Sequence, residues 1–488
     1  RTKADELGKL LGKPIIAATS ISALPGYLRR TETAVVEGYL SPILDEFLDG
    51  IGRVEGLERV DVMTSAGGIV ERDRFRAVDS LLSGPAGGVV GAVNSAKQAG
   101  LRSFLAFDMG GTSTDVSRYD GSLAYREEIE IGEARLFSDS LRIDTVAAGG
   151  GSICGFDGFG FTVGPESAGA DPGPACYGRG GPFTLTDVHL LSGRIHPERF
   201  QFPLVRDAAM EAFEELLELA GKAHSDEIER REILDGLRTI ADETMAGALR
   251  GISIRDGLNP SDFSLLSFGG GGGLHACSLA EQLGIKEILQ PGGAGILSAE
   301  GLAGASREQV EIRPILSSLE AFEKDAPSIF ADLEKAALHQ LSVSRDSRLD
   351  WSREVFVRIA GQESTLACHW EAGFDLEEAF HRQFEKIFGF RQEDLSLEVA
   401  SVRVRVRTDP LEIASEKFPS GDFVSLGPDG FIDEKELRAG TYGSGPCVIS
   451  QRFGTLVVEK DWDFEVGSRG SIKLTRARIR EDDGFEAD

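Results

Sequence analysis

Residues 104–117 read FLAFDMGGTSTDVS and carry the strongest indication of the fold. Its first four residues are apolar and predict a short buried strand. An acidic run rich in glycine and hydroxyl groups, residues 108–115, follows without a spacer. Open parallel sheets place their ligands at the carboxyl ends of their strands, so this order favours a phosphate site in an α/β fold.

The glycine and hydroxyl residues of this turn suit phosphate. Gly110 and Gly111 allow a positive φ and let main-chain N–H groups approach phosphate oxygens. Further donors come from the hydroxyl groups of Thr112, Ser113 and Thr114. A tight β-turn with a capping aspartate would explain the same pattern without a ligand.

The two acidic residues of the turn favour a nucleotide over a bare turn. Asp108 alone would repel phosphate, so we expect it to hold Mg²⁺, directly or through water, with the ion bridging to the phosphates. Asp115 adds a second carboxylate to the same turn. The sequence therefore predicts a site for a nucleotide with a divalent cation.

Length and composition narrow the possible partners. At 488 residues the chain is long enough for two or three domains. Its net charge of −28 argues against a nucleic acid or an anionic membrane as partner. We find no run of 18 apolar residues and no signal peptide. The chain opens on Arg1 rather than Met, which suggests that a preceding segment is missing.

The five cysteines are far apart and form no CxxC pair. This spacing predicts reduced thiols in a cytoplasmic protein and no structural zinc site.

Two more glycine turns follow apolar segments. DTVAAGGGS (144–152) contains Gly149 and Gly150, and FGGGGGLHA (268–276) follows a strand predicted over 263–268. The second turn contains Gly269, Gly270, Gly271, Gly272 and Gly273. Consecutive glycines cost conformational entropy, on the order of 1 kcal/mol each relative to alanine in a regular element, so a ligand pressed against the backbone is the natural reason for them.

Two further side chains are candidates for chemistry. His275 could touch a ligand of the glycine turn, or it could bond a loop carbonyl at the start of the following helix. Cys176 lies in a long segment without periodicity, 161–181, which favours a substrate or interface loop. For Cys176 a buried small hydrophobe is favoured over a nucleophile, because no histidine lies near it in sequence.

The remaining patterns predict regular elements along the chain. Strands are predicted at 14–21 and 60–64, and helices at 31–48, 83–98, 207–222 and 226–256.

From about residue 306 the pattern of predicted strands and helices changes, and this predicts a separate α+β domain. In the strand predicted over 395–408, the apolar parity changes, and a β-bulge near Ala400 would restore one buried face. Three arginines alternate with the valines of that strand, which favours a solvated face: Arg403, Arg405 and Arg407. The charged tail, 477–488, is predicted to be frayed.

Six motifs in one order carry a family resemblance. FDMGGTSTDVS resembles the second phosphate motif of the actin-like ATPases. Together with five other segments, it resembles the hydantoinase A / 5-oxoprolinase family. The other segments are SGPAGGVVGA (83–92), DTVAAGGGS (144–152), VGPESAGADPGPACYGRGG (163–181), LTDVHLLSGRI (185–195) and FGGGGGLHA (268–276).

The resemblance implies actin-like, ribonuclease H-like ATPase lobes with ATP between them. Residues 1–98 would be the remainder of the first lobe and a connecting helix. Residues 99–305 would form the second lobe, and 306–488 the C-terminal α+β domain. Asp108 would hold Mg²⁺, Asp115 would orient that ion or a water, and the five glycines would face the adenosine.

One departure concerns the first lobe. The family carries a first DxGGT-type motif in an amino-terminal module, and this chain has a single DxGGT, at 108–112. The first lobe is therefore expected to be incomplete.

The resemblance also implies a reaction. Family members use ATP to phosphorylate an amide, imide or enolate oxygen, and a hydantoinase B-like subunit or domain continues the chemistry. The favoured reading is the ATP-dependent half of a 5-oxoprolinase, in which 5-oxoproline, ATP and water give glutamate, ADP and phosphate.

Several alternatives stay open at this point. They are the ATP-dependent subunit of an N-methylhydantoinase or of an acetone- or acetophenone-type carboxylase, and a nucleotide-binding assembly protein without turnover. The expected partners are a cyclic amide, a hydantoinase B-like subunit and further copies in an oligomer. K⁺ could accompany Mg²⁺.

Overall fold

The computed structural model describes most of the chain. The described residues are 2–13, 15–22, 24, 26–57, 59–200, 202–221, 229–341, 348–362, 364–392, 395–408, 415–424 and 430–476.

Eleven α-helices lie within these residues. They are α1 (Thr2–Leu11), α2 (Ala18–Ile21), α3 (Tyr27–Gly52), α4 (Ser83–Ala99), α5 (Leu185–Leu191), α6 (Arg206–Gly221), α7 (Arg230–Ile254), α8 (Ala276–Leu283), α9 (Leu297–Ala303), α10 (Leu319–Leu341) and α11 (Leu376–Phe388).

The strands of the described residues number 21. They are β1 (Asp61–Met63), β2 (Ile69–Glu71), β3 (Phe104–Met109), β4 (Thr114–Tyr119), β5 (Tyr125–Ile131), β6 (Ala134–Leu141), β7 (Ile143–Val146), β8 (Ser152–Phe156), β9 (Phe161–Ser167), β10 (Ser264–Phe268), β11 (Glu287–Gln290), β12 (Glu308–Ser318), β13 (Leu349–Ile359), β14 (Leu366–His369), β15 (Leu397–Thr408), β16 (Phe431–Asp433), β17 (Tyr442–Ser444), β18 (Cys447–Gln451), β19 (Gly454–Val458), β20 (Trp462–Val466) and β21 (Ile472–Arg476).

The chain forms two compact units, each built from separated segments. Unit 1 comprises 1–90, 124–142 and 301–413, and unit 2 comprises 91–123, 143–300 and 414–488. The sequence predicted consecutive domains instead. The difference arises because β21, near the end of the chain, pairs with β11.

Unit 2 contains a mixed eight-stranded sheet in the order β17-β20-β21-β11-β10-β3-β4-β7. Its middle strands β11, β10 and β3 run parallel, and the others pair antiparallel. This arrangement confirms the α/β class.

Strand β3 is buried on both faces, as its apolar run predicts. Leu105 and Phe107 pack into the core that includes α7, whereas Phe104 and Ala106 pack into the core that includes residues of α4. Both faces of β3 are therefore covered by helices, and its ends are the parts left for a ligand.

The helix predicted at 83–98 is confirmed as α4, and its small residues allow close packing. A Cβ at Gly91 would lie 2.5 Å from the carbonyl oxygen of Leu297 in α9. Glycine at this position is needed for the approach of two helices.

Unit 1 contains the antiparallel sheet β12-β15-β13-β14. Val357 pairs with Val399 and Phe356 with Ser401, so Ala400 is the extra residue of a β-bulge, as predicted. Helices α10 and α11 supply Phe330 and Phe380 to the core against this sheet.

The prediction of a solvated arginine face on β15 is wrong. Arg403 and Arg405 are only 2% and 3% exposed. Arg403 donates to Asp139 (2.5 Å) and Glu354 (2.7 Å), and Arg405 donates to Glu308 (2.8 Å) and also pairs with Asp139. Carboxylates from distant segments therefore bury these guanidinium groups.

Arg407 completes the row, which we call the arginine ladder (Arg403, Arg405 and Arg407). Arg407 pairs with Glu308 and with the hydroxyl of Tyr125. The Arg405 guanidinium also stacks on the Tyr125 ring, 3.7 Å from its centroid.

Two other local predictions are corrected. No strand of the described residues pairs with 15–21, and Ala18–Ile21 is helical; Pro14 lies outside the described residues. The segment 161–181 is not irregular throughout, because β9 pairs with β8.

Several predictions fit the structure. The strand predicted at 60–64 corresponds to β1, and the helices at 31–48, 207–222 and 226–256 correspond to α3, α6 and α7. Residues 222–228 and the tail 477–488 lie outside the described residues. All five cysteines are free and buried, and Cys176 is fully buried, as favoured. Among the described residues, no helix combines the length and apolar character needed to cross a bilayer.

Candidate functional site

Four loops meet at one edge of the sheet in unit 2. Parallel strands β3, β10 and β11 end there, and β7 runs in the same direction because it is antiparallel to β4, which is antiparallel to β3. The loops follow at 110–113, 147–151, 269–275 and 291–296. Each contains glycine, and the carboxyl edge of a parallel sheet is where such folds bind ligands.

Main-chain hydrogen bonds join these loops. Gly150 N–H donates to the Gly110 carbonyl (3.1 Å), and Gly271 N–H donates to the Met109 carbonyl (3.0 Å). Gly269 N–H donates to the Ala294 carbonyl (2.9 Å). The turns that the sequence separates by more than a hundred residues thus form one surface.

The turn at 110–113 presents unpaired donors. Gly110 N–H donates to the Ser113 carbonyl (3.0 Å). The N–H groups of Gly111, Thr112 and Ser113 have no acceptor among the described residues. Gly111 and Thr112 are exposed and Ser113 is half-buried. Consecutive free N–H groups of this kind form an anion site.

Of the two reasons predicted for the glycines of this turn, the positive φ is wrong and the close approach of a ligand to the main chain stays a prediction. Neither Gly110 nor Gly111 has a positive φ. A Cβ at Gly111 would meet no atom within 4 Å. Glycine at 111 is therefore not required by the protein's own packing, and it leaves open space beside the free N–H groups.

Asp108 and Asp115 lie directly opposite each other on β3 and β4. Burial, and then the charge of Asp115, raise the pKa of Asp108 to about 7. Burial also raises the pKa of Asp115, while a hydrogen bond from the Thr145 hydroxyl (2.5 Å) opposes that shift. A cation between these carboxyl groups would relieve their repulsion.

The residues present fit a magnesium ion held jointly with phosphate. No cluster of three or more His, Cys, Asp or Glu side chains suited to a metal occurs in the described part of the chain. Mg²⁺ commonly uses one or two carboxylates and completes its shell with water and phosphate oxygens. The pair formed by Asp108 and Asp115 matches that pattern.

Most glycines of the loop at 269–273 are explained by packing against the protein and not by the ligand that the sequence predicted. A Cβ at Gly269 would clash with Asp108 and Met109, and one at Gly273 would clash with the Thr455 carbonyl. Gly271 and Gly272 also approach other protein atoms within 3.0 Å of the Cβ position. Only Gly270 is exposed with open space, so most of these glycines serve internal packing.

Gly149 and Gly150 support the turn at 110–113. A Cβ at Gly149 would lie 2.7 Å from the main chain of Thr112, and its N–H donates to the Ser152 hydroxyl (2.9 Å). Because the N–H groups of Gly149 and Gly150 both have protein acceptors, these residues position the turn and leave no donor for a ligand.

Thr114 is also a supporting residue. Its side chain is fully buried and its hydroxyl donates to the Ala148 carbonyl (2.5 Å). The predicted phosphate donors therefore reduce to residues 111–113.

His275 lies in the interior and not at the ligand surface. It is 1% exposed, its Nδ1 lies 2.5 Å from Asp242 and its Nε2 lies 3.0 Å from Nε2 of His189. His275 lies at the start of α8, as one alternative predicted, and its main-chain N–H donates to the Gly272 carbonyl (3.2 Å). Its ring nitrogens bond side chains and not a loop carbonyl. The buried Asp242 and His189 are remote in sequence, and no local signal indicated this network.

A cavity of about 280 Å³ lies beside these loops in unit 2. Its wall includes 292–296 and the turn at Phe453 and Gly454, with Glu300, Arg452 and Arg469. A Cβ at Gly454 would lie 3.5 Å from the Gly270 carbonyl oxygen, which places this turn next to the five-glycine loop. Sequence reasoning did not identify the charged side chains of this wall.

Comparison with known proteins identifies similar chains. The hydantoinase/oxoprolinase family model matches residues 30–310. A curated 5-oxoprolinase, PfmaA of Pestalotiopsis fici, is 34% identical over 408 residues, which are 80% of this chain and 32% of that protein. This chain spans between 32% and 40% of the length of the curated 5-oxoprolinases that it matches.

Two solved structures share the fold. The ATP-dependent caprolactamase from Pseudomonas jessenii matches with a TM-score of 0.84 and 24% identity, over 97% of this chain and 74% of that one. Nucleotide-free acetone carboxylase matches with a TM-score of 0.72 and 22% identity, over 97% of this chain and 73% of that one. At these identities the two structures establish the fold and not the reaction.

Proposed function

The chain belongs to the hydantoinase/oxoprolinase family, and from this premise we propose that it forms the ATP-dependent part of a cyclic amide hydrolase. The observation that carries the proposal is the row of unpaired N–H groups at residues 111–113 beside the facing carboxyl groups of Asp108 and Asp115. An anion site next to a cation site suits a nucleotide with Mg²⁺. Unit 2 would then be an actin-like ATPase lobe.

Each part of the edge has a role in this proposal. The N–H groups of residues 111–113 hold phosphate oxygens, and Asp108 and Asp115 hold Mg²⁺ or its waters. When bound, the ion neutralises charge on the phosphates during transfer. In this proposal the adenosine lies at the cavity of about 280 Å³ beside Gly270.

The proposed chemistry activates the amide by phosphorylation. The amide oxygen attacks the γ-phosphorus of ATP, the bond to the bridging oxygen breaks and ADP leaves. Water adds to the activated carbon, the C–N bond breaks with a proton transferred to nitrogen, and a second water releases phosphate from the acyl phosphate. For 5-oxoproline the sum is 5-oxoproline, ATP and two water molecules giving glutamate, ADP and phosphate.

The wider setting is also proposed. A hydantoinase B-like subunit or domain would complete ring opening, and a first phosphate motif from outside this chain would complete the nucleotide site. Oligomer formation, use of K⁺ and a cytoplasmic location stay predictions of the sequence.

A second candidate is the ATP-dependent subunit of an acetone-type carboxylase. The motifs of the sequence leave it open, and an N-methylhydantoinase is a related choice. The lactam reading is preferred because the sequence relatives include several 5-oxoprolinases at 32% identity or more.

The test measures MgATP binding by calorimetry and then ADP release by the natural full-length protein with each substrate class. We expect ADP release to rise with 5-oxoproline or caprolactam. A response to acetone with inert lactams would support the second candidate. Absence of MgATP binding would overturn both.

A further inference from the structure

Unit 1 contains a second cavity, of about 370 Å³. This volume lies within the range of small-molecule sites. Apolar side chains such as Leu24, Val70 and Phe137 form part of its wall. The remainder includes charged side chains: Arg74, Arg76, Asp79, Glu127, Asp139, Glu308 and Glu311.

Most of these charges are already balanced within the protein. Arg76 forms a two-point ion pair with Asp79, with both distances 2.8 Å. Asp139 and Glu308 are bound by the arginine ladder. The balanced groups give the cavity a polar rim without a surplus of positive charge.

Glu127 differs from these paired groups, and also from Glu311, which accepts hydrogen bonds from Gln309 and Gln340. It forms no ion pair within the described residues, and its buried Oε1 lacks a hydrogen-bond partner. Burial raises the pKa of Glu127 to about 7. A carboxyl group in this state keeps its proton to near neutral pH, and it then carries one donor and one acceptor side by side.

We infer that this cavity binds a small cyclic amide, with the Glu127 carboxyl group paired to the amide edge of the ring. A lactam holds its N–H and C=O in the cis arrangement, so both groups lie on one edge. The hydroxyl of a neutral carboxyl group donates to the lactam oxygen while its carbonyl oxygen accepts the lactam N–H. A linear secondary amide is trans and cannot offer both groups to one partner.

The rest of the cavity suits the rest of such a ligand. The apolar side chains would contact the ring methylenes. Glu311, whose Oε1 accepts from Gln309 (3.1 Å) and Gln340 (2.6 Å), provides a second polar contact on another strand. The choice of a lactam as ligand rests on the proposed function, but the pairing rests on this cavity alone.

The pairing makes a prediction about pH. After burial, the groups that act on Glu127 are Arg403, which favours its charged form, and Asp139, Glu354 and Glu128, which favour its neutral form. The neutral form binds, so affinity for lactam is full below about pH 7 and is lost as the pH rises through that value. Between about pH 6 and pH 8 we expect Kd to rise about tenfold.

The experiment titrates the full chain with 2-pyrrolidinone and caprolactam by ligand-observed NMR at several pH values. N-methylpyrrolidinone, which lacks the N–H, and N-methylacetamide, which is trans, serve as control ligands. Glu127→Gln keeps a donor and an acceptor in the same shape, so lactam binding should persist and lose its pH dependence. Glu127→Ala should weaken binding at least tenfold.

Glu128→Gln is the matched control variant, since Glu128 neighbours Glu127 and pairs with Arg29 (2.6 Å). It should bind lactam like the native chain. Equal binding of the control ligands, a pH-independent native Kd, or no binding of lactam would overturn the inference. If Glu127→Ala does not fold, Glu127→Gln still tests the inference, because lactam binding that keeps its pH dependence in this variant would overturn it.

MgATP binding by the natural full-length protein, measured beside lactam binding by that protein, separates this inference from the proposed function. In that protein, lactam binding without MgATP binding would overturn the proposed function and leave the pairing in place. MgATP binding without lactam binding would sink the pairing alone.

Discussion

Asp108 in unit 2 and Glu127 in unit 1 share a pKa of about 7, raised in both cases mainly by burial. Their surroundings differ. Asp108 faces a second carboxyl group, Asp115, and lies beside unpaired main-chain donors. Glu127 lies near a set of arginines and carboxylates that balance one another.

The difference shows that one perturbed pKa supports opposite chemistries. At Asp108 a neighbouring negative charge calls for a cation, so the charged form is the useful one. At Glu127 the neighbouring charges are already paired, and the proposed pairing with a lactam needs the neutral form of the carboxyl group. The two sites should therefore respond to pH in opposite directions.

Breaking the arginine ladder should have the largest effect. Arg405→Met leaves Asp139 and Glu308 short of a buried partner, and we expect a loss of about 3 kcal/mol or more in the free energy of unfolding, measured by chemical denaturation. Arg313→Met is the control, because Arg313 pairs with Asp332 at 3.6 Å on the surface and should cost no more than about 1 kcal/mol. Equal losses in the two variants would mean that the arginine ladder contributes no more to the free energy of unfolding than a surface ion pair does.

Asp108→Asn should have the largest effect on the nucleotide. It removes the charge expected to hold Mg²⁺, and we expect MgATP affinity to fall roughly 100-fold by calorimetry. Asp120→Asn is the control, since Asp120 is exposed and pairs with Arg118. Unchanged affinity in Asp108→Asn would remove Asp108 from the site.

Two glycine substitutions distinguish a residue that supports the turn at 110–113 from a residue that would contact the nucleotide. Gly149→Ala places a Cβ 2.7 Å from the Thr112 main chain, and we expect it to cost about 1–3 kcal/mol of stability. Gly111→Ala meets open space, so its melting temperature should match the native value while MgATP affinity falls severalfold. Loss of stability in Gly111→Ala with unchanged MgATP affinity would contradict the placement of Gly111 beside the nucleotide.

The pH dependence of MgATP binding gives the sharpest contrast between Asp108 and Glu127. Asp108 is mostly neutral below about pH 7 and charged above it, so MgATP affinity should rise as the pH increases through that value, by about tenfold between pH 6 and pH 8. Glu127→Gln should show the same profile, because Glu127 belongs to the other cavity. A flat profile would show that the charge of Asp108 is not needed.

Prediction from sequence succeeded where the cause was local. The strand β3, the turn after it and the bulge at Ala400 all follow from adjacent residues, since side-chain period and glycine content act over a few positions. The predictions for the His275 ring and for the Thr114 hydroxyl failed because their partners lie far away in sequence, at Asp242 and Ala148.

The α/β class, the position of the glycine turn after β3 and the family of the chain could be read from the sequence, because these depend on short motifs and their order. The folded chain was needed to show which N–H groups remain free, which glycines serve packing, and how the arginines of β15 are buried. These features depend on which distant segments meet, and a buried charge takes its pKa and its partners from neighbours that no local pattern specifies.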